Sequence, residues 1–312
     1  MSRMINMVVP SALKQRVPPR IRNLVLLYRK NALDPAATVL AAVLRGAIRL
    51  TRSLVPFRTG NRIVASLTEA MVGRGFSVVV KTPDAPTTFC CLGATQWLKR
   101  PGVDEDATLA WIHTLPDGAV LWDIGANVGR YAVPAGLSGL RVWAFEPAAA
   151  NVFALMRNIE LNGLDHRVTA LNVAFHDRTG VGSLRMARTD IGSANHHYGE
   201  QRVATGSPVY YQAVLGYSID DFIERFAPDF PEYIKLDVDG NEGLILDGAR
   251  RTLGDSRLQA VIMEVRNETT EQVRTVMQQV GFLEPRQLRM RRSGIADVLF
   301  TRGTGPGASG DR

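Results

Sequence analysis

The chain is nearly devoid of cysteine. Its two thiols, Cys90 and Cys91, are neighbours, and adjacent residues rarely close a relaxed disulfide. Neither has the spaced Cys or His partners of a zinc site. A disulfide scaffold and a zinc module are therefore excluded, and reduced, structural thiols of a cytoplasmic protein are expected. A membrane span needs about 20 predominantly apolar residues, and no run of that kind occurs. Lys14, Arg16, Pro18 and Pro19 break the one N-terminal stretch that could imitate a secretion signal. Acid is scarce at the start of the chain: residues 1–60 carry eleven Lys and Arg against Asp34 alone, a net +10. The whole chain carries +7, so the remainder is about −3. A basic footprint over the entire protein, as nucleic-acid binding would use, is absent. The dinucleotide fingerprint G-x-G-x-x-G is also missing, as is any Ser or Cys nucleophile arrangement.

The most informative stretch present is Val120-Leu121-Trp122-Asp123-Ile124-Gly125-Ala126-Asn127-Val128-Gly129. An apolar strand ends in Asp123 and turns through two glycines. Gly125 and Gly129 lack Cβ atoms, which permits a tight turn and close approach of a ligand to the backbone. A helix opening behind the turn presents free N–H groups to a carboxylate or phosphate. Asp123 stands where a dinucleotide fingerprint would place its first glycine. An acid there suits a cationic ligand better than a pyrophosphate, and S-adenosylmethionine combines a sulfonium with an amino-acid head group. A second apolar strand, from Arg141, ends in Glu146-Pro147. A carboxylate about 20 residues beyond the turn is placed to accept two ribose hydroxyls. The alternative is that Glu146 caps the helix whose first turn Pro147 fits.

Six segments, taken in order, resemble FkbM-type methyltransferases. They are Asp123-Ile124-Gly125-Ala126-Asn127-Val128-Gly129-Arg130-Tyr131, Phe145-Glu146-Pro147, Asn158 to Asn162, Ser218-Ile219-Asp220-Asp221-Phe222, Tyr233 to Glu242, and Val261-Ile262-Met263-Glu264-Val265, within roughly residues 105 to 301. The resemblance implies a class I S-adenosylmethionine-dependent fold: an α/β, Rossmann-like, mostly parallel seven-stranded sheet with helices on both faces. It also implies O-methylation of sugars, glycolipids or polyketides. Under it, Asp123 senses the amino group of the methionine moiety, the Gly125–Gly129 backbone meets the amino-acid portion and Glu146 takes the ribose. Asn127 either contacts the ligand or caps a helix. Asp177 either reaches the adenine amino group or makes a turn in Asp177-Arg178-Thr179-Gly180.

The pattern around these segments organises the chain into a basic helical arm (1–60), a lead-in hairpin and helix (61–118), the catalytic core (119–302) and a polar, Gly-rich tail (303–312). Arg45, Arg49 and Arg52 share one face of a helix over about Pro35 to Val55, with Val39, Val43, Ala47, Leu50 and Leu54 near the other. Such a helix either docks on the core or lies on an anionic membrane. Phe76–Lys81 and Thr87–Cys91 read as a hairpin, and Ala107–His113 as a helix. The alternation of elements in the core predicts a mostly parallel sheet. Its strands fall near 119–124, 141–146, 167–174, 232–238 and 259–265, its helices near 147–162, 241–253 and 268–280, and an antiparallel finish near 281–289 and 295–301. Pro134 predicts a first core helix that is short and bent, or that starts late.

Asp237 ends the fourth of these strands and is the expected catalytic group. It either accepts the proton of an attacking hydroxyl or orients the acceptor. Asp239 and Glu242 follow it, but their spacing is no metal motif and no metal is expected. Asp239-Gly240-Asn241 also reads as a turn with Asn241 capping the next helix. Lys235 lies inside the strand as a partner for a carboxylate. His196 and His197 fall in a polar insertion, about 187–208, that reads either as a substrate lid carrying a base or as an exposed loop. The function expected is methylation of a hydroxyl of a surface glycan or glycolipid. Another small molecule or a nucleic acid is the alternative acceptor. A nicotinamide oxidoreductase and a non-catalytic binding module are the rival classes. The expected setting is cytoplasmic, with the arm contacting the inner membrane face and no nucleic-acid partner.

Overall fold

The computed structural model describes residues 77–81, 86–90, 107–199, 207–266, 269–290 and 294–303. The expected arm at 1–60 and the tail beyond 303 lie outside the described residues. The chain opens with the antiparallel hairpin β1 (Ser77–Lys81) and β2 (Pro86–Cys90), followed by α1 (Ala107–Ile112). The next half contains β3 (Val120–Ile124), α2 (Ala132–Leu137), β4 (Arg141–Phe145), α3 (Ala149–Leu161) and β5 (Val168–Leu171). An insertion brings β6 (Ala174–Phe175), β7 (Gly180–Met186), β8 (His197–Tyr198) and β9 (Tyr210–Tyr217). The second half runs α4 (Ile219–Phe226), β10 (Tyr233–Leu236), α5 (Glu242–Asp247), α6 (Arg250–Gly254), β11 (Ala260–Arg266), α7 (Thr270–Gln279), β12 (Arg286–Met290) and β13 (Ile295–Thr301).

Seven strands form the central sheet in the order β12-β13-β11-β10-β3-β4-β5. The five from β11 to β5 are parallel, and β13 runs antiparallel to β11. This is the expected mostly parallel sheet with its antiparallel finish. Every residue of β3 is buried, as a parallel strand covered on both faces requires. Its side chains alternate between two cores. Val120, Trp122 and Ile124 join Phe145, Phe175, Phe222 and apolar residues of α5, α6 and α7. Leu121 joins Ile112, Val133, Leu155 and the α1–α3 side. Trp122 is the centre of the first core, stacked with Phe175 and edge-on to Phe222, while its indole N–H donates to the Asp229 carbonyl.

Two expected elements differ in detail, and a third takes one of its two expected forms. The strand foreseen over 167–174 stops at Leu171. Asn172 there turns its amide to the Glu146 and Pro147 carbonyls, and the chain leaves for a second, four-stranded sheet, β6-β9-β7-β8. The helix foreseen over 241–253 breaks at Gly248, where a Cβ would lie 2.2 Å from the His176 carbonyl oxygen. The helix behind the glycine turn starts late, at Ala132, and is short. Pro134 then falls in its first turn, where a missing N–H costs nothing.

The hairpin is held to the core by an asparagine of α3 and by the asparagine that follows its last residue. Asn158 Oδ1 accepts the Cys90 N–H at 2.7 Å while its Nδ2 donates to the Val128 carbonyl. Asn162 bonds both backbone groups of Thr88. The segment Asn158 to Asn162 thus ties the lead-in strand and the glycine turn to one helix.

Replacing Trp122 by Ala empties the middle of the first core. Chemical denaturation is expected to show a loss of about 3–5 kcal/mol, with the Glu146 region retained if the sheet order survives.

Candidate active site

The strand order reverses between β3 and β10. From β3 the chain builds outward through β4 to β5, then crosses back to β10 on the other side of β3. In open α/β sheets the crevice beyond the carboxyl ends of such strands is where ligands sit. Asp123, Glu146 and Asp237 all lie at that edge, contributed by β3, β4 and β10.

Asp123 and Lys235 are direct neighbours in the parallel register, on the same face, and both are buried. The Lys235 ammonium lies 3.0 Å from Asp123 Oδ1 and 3.7 Å from Asp237 Oδ2. It donates to the Gly125 carbonyl at 3.1 Å and sits 5.0 Å from the centre of the Tyr131 ring. Burial disfavours the charge on both partners. The two carboxylates nevertheless hold the Lys235 pKa above its ordinary value. Burial raises that of Asp123, with the lysine charge opposing the shift. One cation thus joins β3, the glycine turn and β10. Asp237, with 36% of its side chain exposed, is the member open to solvent.

The glycines serve the protein's own packing. Gly125 has φ +81°, and a Cβ there would lie 1.9 Å from the Asp237 carbonyl oxygen. A Cβ on Gly129 would meet Leu155 Cδ1 at 2.7 Å. Asn127 between them has φ +51°, a left-handed conformation that Asn tolerates better than most residues. Its side chain caps no helix: Oδ1 accepts the adjacent Val128 N–H and Nδ2 donates to the Ser193 carbonyl.

Glu146 is buried with three donors on its carboxylate. Asn127 N–H reaches Oε2 at 2.9 Å, and Ala148 N–H and Asn151 Nδ2 reach Oε1 at 2.9 and 3.2 Å. Burial outweighs these bonds and pushes its pKa up to about 7. Pro147 precedes the helix rather than entering it, since α3 starts at Ala149.

The insertion folds over this edge. Asp239, at φ +60°, accepts the Asn195 N–H at 2.6 Å, and Asn241 Nδ2 donates to the Tyr198 carbonyl. Asn241 stands at the start of α5 without capping it. Glu242 closes its own turn by accepting the Gly240 N–H. His196 and His197 are buried, contrary to the exposed-loop reading. Burial, aided by the neighbouring His197, lowers the His196 pKa to about 4. Burial and then the Arg266 charge lower that of His197. Asp177 takes its contacts elsewhere: it bonds His176 and lies against Gly248. The structure therefore brings Asp123, Gly125, Asn127, Gly129, Glu146 and Asp237 together and sets Asp177 apart from their contacts.

Buried polar atoms without a hydrogen-bond partner concentrate here. Both Asp123 oxygens are among them, although the Lys235 ammonium lies 3.0 Å from Oδ1; His196 Nδ1, His197 Nδ1 and Asn241 Oδ1 are others. Such atoms are rare in folded proteins and call for a ligand or water. Among the described residues no cluster of His, Cys, Asp and Glu is arranged to hold a metal ion.

Glu146 carries a pH dependence of its own. Its pKa in the folded chain, about 7, exceeds the ordinary 4.5, so the native state binds the extra proton. Its contribution is complete below about pH 4.5 and is lost as pH rises through 7, by about 3 kcal/mol. Denaturation between these limits is expected to show a falling stability that Glu146→Gln flattens.

A family model described as the methyltransferase FkbM domain matches residues 123–284. No curated protein sequence matches the chain. A methyltransferase FkbM from Methylobacillus flagellatus KT aligns at 20% identity and TM-score 0.43, over 60% of this chain and 45% of that one. The chain thus spans under half the length of that protein. A precorrin-6y C5,15-methyltransferase from Geobacter metallireducens GS-15 aligns at 13% identity and TM-score 0.40, over 63% and 86%. TYW2 of P. horikoshii, in complex with MeSAdo, aligns at 11% and 0.40, over 73% and 71%.

Proposed function

The chain belongs to the FkbM methyltransferase family, and from that premise we propose that it binds S-adenosylmethionine and methylates a hydroxyl, that of a sugar in a surface glycan or glycolipid. The observation that carries the reading is the shared cation: Lys235 pairs with both Asp123 and Asp237, at the ends of adjacent strands beside the glycine turn. Glu146 would take the ribose hydroxyls, and Asp123, buried against Lys235, would act on the donor's ammonium through water; the backbone N–H groups of 125–129 are already bonded within the protein. Bound there, S-adenosylmethionine supplies an electrophilic methyl on a sulfonium. The protein's remaining tasks are to align an acceptor oxygen, exclude water and take one proton.

Asp237 is suited to the last task. It is the exposed carboxylate of the trio, and Lys235 holds it in place at 3.7 Å. It would accept the hydroxyl proton as the oxygen attacks, or orient that oxygen by the same bond. Asp239 and Glu242 are taken by backbone N–H groups. The acids that crowd this edge suit a neutral, polyhydroxylated acceptor better than a phosphate backbone, which favours a sugar over nucleic acid.

Titration calorimetry with S-adenosylhomocysteine is expected to detect binding to the full chain and a loss of at least tenfold in Glu146→Ala. Asp237→Asn is expected to keep that binding and to lower methyl transfer by two or more orders of magnitude. Mass spectrometry of surface glycans from strains with and without the gene would locate the product. An O-methyl sugar that disappears with the gene supports the reading, and label found only in nucleic acid overturns it.

The basic arm is proposed to hold the enzyme near a lipid-linked acceptor. Co-sedimentation with anionic vesicles should weaken when Arg45, Arg49 and Arg52 are replaced together by Ala; unchanged binding removes this role.

A further inference from the structure

Asn151 lies in the first turn of α3, five residues beyond Glu146, and is 1% exposed. Its side chain has two N–H donors and one carbonyl acceptor, and all are used. Nδ2 donates to Glu146 Oε1 at 3.2 Å and to the Ser193 carbonyl at 3.1 Å. Oδ1 accepts the Gly192 N–H at 2.7 Å. One amide thus joins the carboxylate at the end of β4 to the backbone of two consecutive residues of the insertion.

The same short stretch is anchored at other points along the crevice. Asn127, from the glycine turn, donates to the same Ser193 carbonyl at 3.0 Å. Asp239 holds the Asn195 N–H, and Asn241 holds the Tyr198 carbonyl. Within it, Ser193 Oγ bonds His196 Nε2. The His197 ring lies near Gly240, as Arg266 does: Cε1 of the one and Nε of the other would each stand 3.9 Å from a Cβ placed there. Residues 192–198 therefore form a strap running from Glu146 to the edge where Asp237 stands.

We infer that Asn151 is a positioning residue that couples occupancy of the donor site to this strap, so that donor binding stiffens the wall of the acceptor cleft. The inference rests on the reading of Glu146 as the ribose carboxylate. Ribose hydroxyls donating to Glu146 favour its charged form. The charged carboxylate strengthens the bond from Asn151 Nδ2 and fixes the amide. The fixed amide holds Gly192 and Ser193 in register, and with them His196 and His197. Donor would then bind before acceptor, because the strap that walls the acceptor cleft is held more firmly once Glu146 is charged.

The test is hydrogen–deuterium exchange on the full chain with and without S-adenosylhomocysteine, alongside calorimetric affinity. In the unaltered protein, peptides spanning 192–198 should gain protection on binding. Asn151→Asp keeps the shape and the Gly192 bond, but it cannot donate and sets a second acid beside Glu146. It should weaken S-adenosylhomocysteine binding at least tenfold and abolish the gain in protection. Asn127→Gly tolerates φ +51° and removes the other anchor of Ser193, so it should lose the protection with a smaller loss of affinity. It also serves should Asn151→Asp fail to melt cooperatively. Retained affinity within twofold in Asn151→Asp, or strap protection in both variants equal to the original, overturns the inference and leaves the donor site standing. No binding of S-adenosylhomocysteine to the unaltered chain removes the donor site and the inference together.

Discussion

A buried ammonium between two carboxylates is the constraint on which the site depends. Lys235 sits in the middle of the sheet, where a lone charge would carry a desolvation cost of several kcal/mol. It is tolerated because Asp123 stands beside it in register and Asp237 follows two residues on. Removing Asp123 would leave the buried lysine only the part-exposed Asp237 at 3.7 Å, and removing the lysine would leave two carboxylates without their cation. The glycine turn is drawn into the same arrangement through its carbonyl at Gly125. The three segments that would meet donor and acceptor are therefore parts of one electrostatic unit.

Around that unit the fold separates rigid parts from adaptable ones. β3, β4 and β10 are covered on both faces and set the positions of Asp123, Glu146 and Asp237 to within the pleat of the sheet. The four-stranded insertion lies outside the central sheet and touches the crevice through side-chain amides and a carboxylate. Asn127, Asn151, Asp239 and Asn241 each reach it with one or two hydrogen bonds. Hydrogen bonds of that kind contribute about 1 kcal/mol each. The strap is thus held well enough to be ordered and loosely enough to respond to a ligand.

Much of the central sheet was legible in the sequence because parallel strands are short, apolar and punctuated. Val120–Ile124, Arg141–Phe145, Tyr233–Leu236 and Ala260–Arg266 are predominantly apolar runs, each with one or two charged residues and followed by acids or polar turns. The second sheet was not legible, and the reason is local. Its strands carry Gly180, Gly182 and Gly216, residues that signal turns. Gly182 and Gly216 are in strands because the Tyr198 ring lies across both: Cβ atoms there would fall 2.3 and 2.1 Å from its hydroxyl oxygen. The ring and the glycines are distant in the sequence, so no window contains the explanation.

The candidate site was legible in its acids and not in its amides. Asp123, Glu146 and Asp237 end apolar strands, which is a visible pattern. Asn151 has no such flag: an asparagine in the first turn of a helix is ordinary, and only the fold shows what it reaches. The histidines were noticed for their chemistry, but their burial depends on contacts with Asp239 and Asn241 some 40 residues away.

The contact between Gly125 and the Asp237 carbonyl has a consequence for how variants of this turn are interpreted. The missing side chain is replaced by protein backbone rather than by open space. Alanine at 125 would push the end of β10 outward and carry Asp237 with it. An inactive glycine-turn variant would then report a displaced proton acceptor as readily as a blocked donor, and mutagenesis at that position alone would assign to one substrate a defect that belongs to the other.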